Sequence, residues 1–252
     1  MKFNTYLGRK VEGAYEKYLE ASKTAENHKP GIIEKPITRK IQDGNEYLIL
    51  PGRKHGNYEY PDLLVSAKRS PNGENWNKAH ESLKQEDSFM LTIRQYVDFL
   101  NLLKSGRAHD GAGSLVNKKE LDAILDDILT VRAPWRAEWL DAKFGSKGIL
   151  KKSYSITYHK ITPNGDLEEA TEPLDDCLLS NKQINLEEWL RKATSQGLPA
   201  PDTSNGSLHY LSPANGTVAR FIACSDGVGL NCSRDPEYSY SSLGVRAARD
   251  EV

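Results

Sequence analysis

Three cysteines and two histidines are the residues whose types could support nucleophilic chemistry. Cys177, Cys224 and Cys232 are the thiols of the chain. Cys177 and Cys224 are the candidate nucleophiles, and either would need a neighbouring base, for which His159 and His209 are candidates. No two of the cysteines form a C-x-x-C pair and three cannot all pair, which argues against a disulfide framework or a zinc ribbon. Because a buried inert cysteine is the commoner case, we predict that the chain is not an enzyme.

Oxygen-bearing side chains cluster in two places. Asp122, Asp126 and Asp127 share one amphipathic segment and could serve acid–base chemistry, although a solvated helix face explains them more simply. The second group lies around Trp76 and consists of Asn72, Glu74, Asn75 and Asn77. Oxygen ligands suit calcium, but turn chemistry at residues 71–73 accounts for this group without an ion. The sequence therefore predicts no metal and no cofactor.

The C-terminal segment has an unusual composition. Every lysine lies at or before Lys192, whereas arginine continues to Arg249. Residues 217–243 also contain no Gln, Met, Trp or His, and their single Glu is Glu237. Small and turn-forming residues with interspersed tyrosines are typical of adaptable recognition surfaces. A Gly/Ser-rich loop that closes a domain would have a similar composition.

Motifs in this segment resemble those of a known family. They are Val-Ala-Arg-Phe at 218–221, Ser-Asp-Gly at 225–227 and Leu-Gly-Val-Arg at 243–246, with Leu230, Cys232, Pro236 and Ser239 between them. The segment resembles the variable region of proteins diversified by diversity-generating retroelements, and most of all those of archaea and archaeal viruses. Residues 92–107 and 134–141 are also similar to that family, so the resemblance extends from about residue 47 to the C-terminus.

The resemblance implies a mechanism of diversification. In that family a reverse transcriptase misreads template adenines and the copy replaces the variable repeat, so that AAY codons become NNY. By the genetic code, NNY cannot encode Lys, Gln, Glu, Met or Trp, and residues 217–243 obey this rule except at Glu237. We therefore expect Glu237 to be fixed. The depletion of lysine extends further upstream than this mechanism explains.

The resemblance also implies a C-type lectin fold that displays the variable side chains to a ligand. Alternate residues of a strand point to opposite faces, so the segment should divide into displayed and scaffold positions. The expected display set, to which we assign ligand binding, is Ile222, Cys224, Asp226, Val228, Asn231, Ser233, Arg234, Asp235, Tyr238, Tyr240, Ser241 and Ser242. The expected scaffold set is Val218, Phe221, Ala223, Leu230, Cys232, Pro236, Leu243 and Val245. No calcium-lectin sugar motif is present, so the fold does not imply sugar binding.

Hydrophobic periodicity predicts the elements that position these residues. Helices are predicted at residues 5–29, 91–104, 117–132 and 185–190. Strands are predicted at residues 47–50, 63–65 and 154–161, with a turn at 163–166 and a loop at 52–61. Trp135 and Trp139 could stack a ligand, but we predict that they are core anchors at a helix end, which is the commoner case. This order predicts the α+β class, with an N-terminal helical arm at 1–45, a C-type lectin-like domain at 46–252 and a variable region at about 218–246.

Composition excludes several classes of protein. The 252 residues contain 34 Lys+Arg against 35 Asp+Glu, a balance that argues against a nucleic-acid partner. No apolar run approaches the ~18 residues of a membrane helix, so we predict no membrane insertion. The first residues do not resemble a secretory signal, which favours a cytoplasmic or virion-associated protein.

The leading hypothesis is a display protein whose diversified C-terminal surface binds a macromolecule, most directly another protein. The alternative is a virion or assembly protein of the same fold with fixed specificity, in which the amphipathic arm would hold copies together. Sizing the intact chain against one that lacks residues 1–30 distinguishes the two, because loss of an oligomer on truncation would favour the assembly arm. The identity of the ligand and the oligomeric state stay open at this point.

Overall fold

A computed structural model describes residues 5–6, 9–10, 44–70, 73–148, 153–162 and 166–250. The chain divides into two compact units, Met1–Thr38 and Arg39–Val252. In the first unit, β1 (Thr5–Tyr6) pairs antiparallel with β2 (Arg9–Lys10). The helix predicted at residues 5–29 is therefore wrong at its start, where Gly8 has a low helix propensity. The rest of that prediction, and with it most of the helical arm at 1–45, lies outside the described residues.

The second unit is a mixed α+β structure in which sheets predominate. A 3₁₀ turn (Gly44–Glu46) precedes the strands, and the described helices are α1 (Trp76–Gln85), α2 (Ile93–Ser105), α3 (Lys118–Leu129) and α4 (Leu186–Lys192). A four-stranded sheet contains β3 (Tyr47–Leu50), β6 (Leu63–Ser66), β7 (Phe89–Met90) and β16 (Ala247–Asp250). A separate hairpin is formed by β4 (Arg53–His55) and β5 (Tyr58–Tyr60). The large sheet contains β8 (Arg136–Lys147), β9 (Ser153–Ile161), β10 (Leu167–Pro173), β11 (Lys182–Ile184), β12 (Leu208–Leu211), β13 (Val218–Cys224), β14 (Gly227–Arg234) and β15 (Leu243–Val245).

Strand order places the C-terminal segment in the interior of both sheets of this unit. In the large sheet the order is β10-β9-β8-β13-β14-β12-β11, and β15 pairs with β8 in parallel. In the small sheet the order is β3-β6-β16-β7, so that the last strand lies between elements from the beginning of the unit. The segment from residue 218 onward is thus paired on both sides along β13 and is joined to both sheets.

The large sheet has an apolar cluster on each face. On one face Phe221 packs against Tyr96 of α2 and Trp189 of α4, with ring centroids 5.3 and 6.2 Å apart, respectively. On the other face Trp139 packs with Trp76 of α1 and other members of a smaller cluster. The two central strands, β8 and β13, contribute residues to both clusters. These two strands are therefore fixed by packing from both sides.

Local sequence signals account for the helices. Thr92 and Gln95 form a capping box at the start of α2, and Gly106 ends the helix in a left-handed conformation at φ 66°. Asn117 and Asn185 cap the N-termini of α3 and α4 through side chains that accept hydrogen bonds from backbone N–H groups. The predicted helices at 91–104, 117–132 and 185–190 are confirmed. None of the described helices is long and apolar enough to cross a lipid bilayer.

Two local predictions are wrong. The loop predicted at 52–61 contains the β4–β5 hairpin, whose turn is Gly56-Asn57, a pair that favours tight hairpin turns. Trp139 lies in the middle of β8, and Trp135 directly precedes that strand, so the two do not mark a helix end. Residues four apart share a face in a strand as well as in a helix, so the spacing of the two tryptophans does not distinguish a strand from a helix.

A buried ion network fixes the C-terminal segment at Arg246. Arg246 is 2% exposed and donates to both carboxylate oxygens of Glu138, at 2.8 and 3.2 Å. Its remaining nitrogen donates to the backbone carbonyls of Ser66 and Ala67 at 2.8 and 2.7 Å. Arg136 makes a further ion pair with Glu138. The Leu-Gly-Val-Arg motif is thereby attached to β8 and to the end of β6.

Candidate functional site

The expected scaffold and display sets differ in exposure. All scaffold residues are buried except Pro236, which is partly exposed. Every residue of the display set is partly or fully exposed, and Tyr240 reaches 51%. The display set is distributed over β13, the turn at 225–226, β14 and the loop at 235–242. The C-terminal segment therefore has a buried side and a side that a ligand can reach.

Strand register shows which displayed residues share a face. Ile222 pairs with Gly229 and Arg220 with Asn231, so Arg220, Ile222 and Asn231 lie on one face of the β13–β14 hairpin. Val228 pairs with Ala223 and packs against the cluster around Phe221 on the other face. The expectation that Val228 shares a face with Ile222 is therefore wrong. The tight turn at 225–226 reverses the chain, and simple counting across it does not preserve the face.

The loop at 235–242 is attached to the N-terminus of α1. Glu237 accepts hydrogen bonds from the side-chain amides of Asn75 and Asn77 at 2.9 and 2.7 Å. The backbone N–H of Trp76 donates to the carbonyl of Pro236 at 3.0 Å. Asn75 also caps α1, so this part of the oxygen-rich group around Trp76 serves the loop and the helix. Glu237, which we expect to be fixed, holds the displayed loop in place.

A close backbone contact explains the glycine of the C-terminal motif. A Cβ atom on Gly244 would lie 2.2 Å from the backbone oxygen of Ser70. Ser70 and Val245 exchange backbone hydrogen bonds at 2.8 and 3.1 Å. Any side chain at position 244 would therefore push β15 away from Ser70 and break these two hydrogen bonds.

Two arginines and three aromatic rings contact one another where the loop at 235–242 meets β13 and β14, and we call these residues the arginine–aromatic cluster. The guanidinium carbon of Arg220 lies 5.4 Å from the ring centroid of Trp135 and 5.6 Å from that of Tyr238. The guanidinium carbon of Arg234 lies 3.3 Å from the Tyr238 centroid. Tyr240 stacks on Trp135 with ring centroids 5.1 Å apart and an interplanar angle of 23°. Three of these five residues belong to the expected display set.

The positive charge of this cluster is not neutralised by a nearby acid. Among the described residues, neither Arg220 nor Arg234 forms an ion pair, and the Nε and Nη1 atoms of Arg220 are buried without a hydrogen-bond partner. Arg220 is only 7% exposed. Burial, followed by the charge of Arg234, lowers the pKa of Arg220 to about 10, so the group remains a cation at neutral pH. An unpaired buried cation is costly and attracts an anionic group.

Two of the three cysteines lie in surroundings that disfavour the thiolate form. Burial, with the charges of Asp175 and Asp176, raises the pKa of the Cys177 thiol to about 12. Burial likewise raises the pKa of Cys232. The Cys224 sulfur donates to the carbonyl of Gly227 at 3.4 Å. Within the described part of the chain, none of the three forms a hydrogen bond or ion pair with a histidine.

A separate group of titratable side chains lies where α1 packs on β8 and β9 of the large sheet. His80 of α1, Asp141 of β8 and His159 of β9 have ligand atoms within 4.8 Å of one another. Burial by itself would raise the pKa of Asp141, but the two histidines lower it below its usual value, so the group is a carboxylate at neutral pH. From its sequence position, His159 was a candidate only as a base for a cysteine nucleophile. Positions 80, 141 and 159 are too far apart in the chain to form a recognisable ligand pattern.

Comparisons of the chain with protein families, with curated proteins and with solved structures gave no match. The exposed C-terminal face and its residues are therefore the basis for assigning a function.

Two members of the arginine–aromatic cluster, Trp135 and Arg220, lie outside the display set. Both contact members of that set, Trp135 from a partly exposed position and Arg220 from a buried one. Arg220 was visible only as part of the Val-Ala-Arg-Phe motif. Its alternation with Phe221 gave a usable signal, because it places the arginine on the face of β13 opposite the core aromatic.

Proposed function

We propose that this protein is a ligand-binding display protein of C-type lectin fold, whose C-terminal face is diversified by retroelement-directed adenine mutagenesis. The observation that carries the proposal is the division of residues 218–245 into a buried scaffold and an exposed display set. Substitution at exposed positions generally changes stability by less than ~0.5 kcal/mol, which is what repeated diversification requires. The mixed α+β architecture is compatible with the proposed fold.

The arginine–aromatic cluster defines the chemistry of the ligand. Tyrosine and tryptophan rings supply large contact area with little side-chain entropy to lose on binding. Arg234, which is partly exposed, offers guanidinium donors that favour carboxylates, and the buried Arg220 adds positive charge to the same cluster. The ligand that fits this surface is a protein that presents an acidic side chain beside apolar area. Arg220, which is outside the display set, would provide a constant anchor while Arg234, Tyr238 and Tyr240 vary.

The proposal is tested by site-specific photocrosslinking in extracts of the source population. A photoreactive phenylalanine analogue replaces Tyr240 in one variant, and Leu115, which is 70% exposed, in a matched control variant. Binding through the C-terminal face predicts a discrete crosslinked protein from position 240 and none from position 115. The crosslink should also be lost when Arg220→Gln is added to the first variant.

Equal labelling from both positions, or none from either, would contradict binding at this face. Melting curves of all the variants establish that they are folded. If the protein is instead an assembly component, position 240 should crosslink to another copy of the same chain.

A further inference from the structure

The group formed by His80, Asp141 and His159 has the composition and spacing of a metal site. The Nε2 atom of His80 lies 3.4 Å from Oδ1 of Asp141, and the Nδ1 atom of His159 lies 3.1 Å from Oδ2. Metal–ligand distances of roughly 2.0–2.2 Å place neighbouring ligand atoms of one tetrahedral zinc ion about 3.3 Å apart. Both histidine-to-carboxylate distances are close to that value.

Rigid elements hold all three side chains. The indole nitrogen of Trp76 donates to the carbonyl of Leu140, and that of Trp139 donates to the carbonyl of Glu74, both at 2.9 Å. These two bonds fix α1, and with it His80, on β8. The backbone N–H of His159 donates to Oδ2 of Asp141 at 2.7 Å, which orients the carboxylate from outside the site.

A hydrogen-bonded structural cluster does not account for every atom of the group. The Nε2 atom of His80 is buried and, within the described residues, makes no hydrogen bond, since its approach to Asp141 lacks the required geometry. Asp141 is 1% exposed, and its ion-pair partners in the described part of the chain are the two histidines alone. The Nε2 atom of His80 and the carboxylate of Asp141 are therefore buried polar atoms that a divalent cation would partner.

The group opens onto a cavity of about 730 Å³ to which His80 and His159 both contribute. Carboxylates outnumber cations on its wall, which therefore attracts positive ions. The acidic wall residues are Glu81, Asp87, Asp166, Glu169 and Asp250, and the basic ones are Lys84 and Arg249. Three protein ligands with an open fourth position are typical of zinc sites that bind water or a small donor.

We propose that His80, Asp141 and His159 bind a divalent transition-metal ion of the zinc class, with its open coordination position facing this cavity. The three side chains supply two imidazole nitrogens and one carboxylate oxygen, ligands that suit Zn²⁺ and Co²⁺ better than Ca²⁺ or Mg²⁺. The site lies apart from the arginine–aromatic cluster and does not depend on the proposed ligand-binding function.

Titration of the chelator-treated full chain with Co²⁺ tests the site, because the ion's visible absorption reports its coordination. We expect saturation at one equivalent with the intense bands of a four- or five-coordinate ion. His80→Gln and His159→Gln should each weaken binding at least tenfold, and Asp141→Asn should do the same while it preserves the size of the side chain. His109→Gln, at an exposed histidine outside the group, is the matched control and should bind Co²⁺ as the wild type does.

Thermal melting separates loss of the metal from loss of the fold. A saturating concentration of Zn²⁺ should raise the melting temperature of the wild type and of His109→Gln, since a ligand that binds only the folded state stabilises it by mass action. The rise should be absent in the folded His80→Gln variant. The proposal is overturned if the wild type takes up no stoichiometric Co²⁺, or if its affinity is unchanged in both histidine variants.

Discussion

Two buried arginines close to the C-terminal face differ in what they contact. Arg246 pairs with Glu138 and donates to backbone carbonyls, so its charge and its donors are satisfied. Arg220 contacts two aromatic rings, while its Nε and Nη1 atoms lack hydrogen-bond partners in the described structure. A buried arginine that stabilises the fold is expected to have partners for its charge and its hydrogen-bond donors. A residue that binds a ligand often lacks such partners in the free protein, at a cost in stability.

Replacement by methionine should therefore affect the free energy of unfolding differently at Arg246 and at Arg220. Arg246→Met leaves Glu138 buried with less compensation and should lower the free energy of unfolding by ~3–5 kcal/mol. Arg220→Met loses cation–π contacts worth about 0.5–2 kcal/mol but removes the larger desolvation cost of an unpaired cation. Its stability should therefore be unchanged or higher. Urea denaturation of both variants against the wild type measures these differences.

A large loss of stability in Arg220→Met would show that this arginine serves the fold. The assignment of Arg220 as a ligand anchor would then be wrong, whatever the fate of the rest of the display set.

At the scale of elements, β13 and the loop at 235–242 separate structural from displayed residues. Phe221 is 2% exposed between Tyr96 and Trp189, whereas Tyr240 lies at the surface on Trp135. Phe221→Ala should cost ~3–5 kcal/mol because it empties a core site. Tyr240→Ala, a matched loss of an aromatic ring, should cost less than ~1.5 kcal/mol, the upper value of an aromatic pair. Melting curves of the two variants that coincide would contradict the division into scaffold and display.

The elements were predictable to the extent that their signals are local. Thr92, Asn117 and Asn185 begin helices through caps that the sequence shows directly. The face of the sheet on which Val228 lies could not be predicted locally. Alternation does not continue through the tight turn before it, and only pairing with the partner strand fixes the register.

The centre of the candidate site depends on long-range contacts. Trp135 and Arg220 meet because β8 and β13 are neighbours in the sheet, although the residues are distant in the chain. His80, Asp141 and His159 likewise come from three separate elements. A single sequence contains no local pattern for either group, and the resemblance located the surface without these members.

At the scale of the whole molecule, Glu138 links the two sheets through Arg246. Burial by itself would raise the pKa of Glu138, but the charges of Arg246 and Arg136 lower it below its ordinary value. A carboxyl group with a lowered pKa stabilises the folded state above its unfolded pKa of about 4.3, and this stabilisation is lost as the pH falls through the lower folded value. Acid should therefore weaken the attachment of the C-terminal motif.

Glu138→Gln tests this linkage. The variant should be less stable than the wild type by ~3–5 kcal/mol near neutral pH, because it leaves Arg246 without its carboxylate partner. The difference should shrink as the pH falls below about 4.3, because the unfolded wild type then takes up a proton at Glu138 that the folded state accepts only at its lower pKa. Urea denaturation of both proteins across this pH range gives the two curves, and a difference that stays constant with pH would count against the network.

The central claim is that the C-terminal face is a binding surface whose residues are diversified. Deep sequencing of this gene and its flanking DNA from the source population tests it most directly. The account predicts adenine-derived variation concentrated at the display-set codons between residues 222 and 242, constant codons for Arg220 and Glu237, and a near-identical template beside a reverse-transcriptase gene. An invariant segment without a template would contradict the claim, and the chain would then be a protein of fixed specificity.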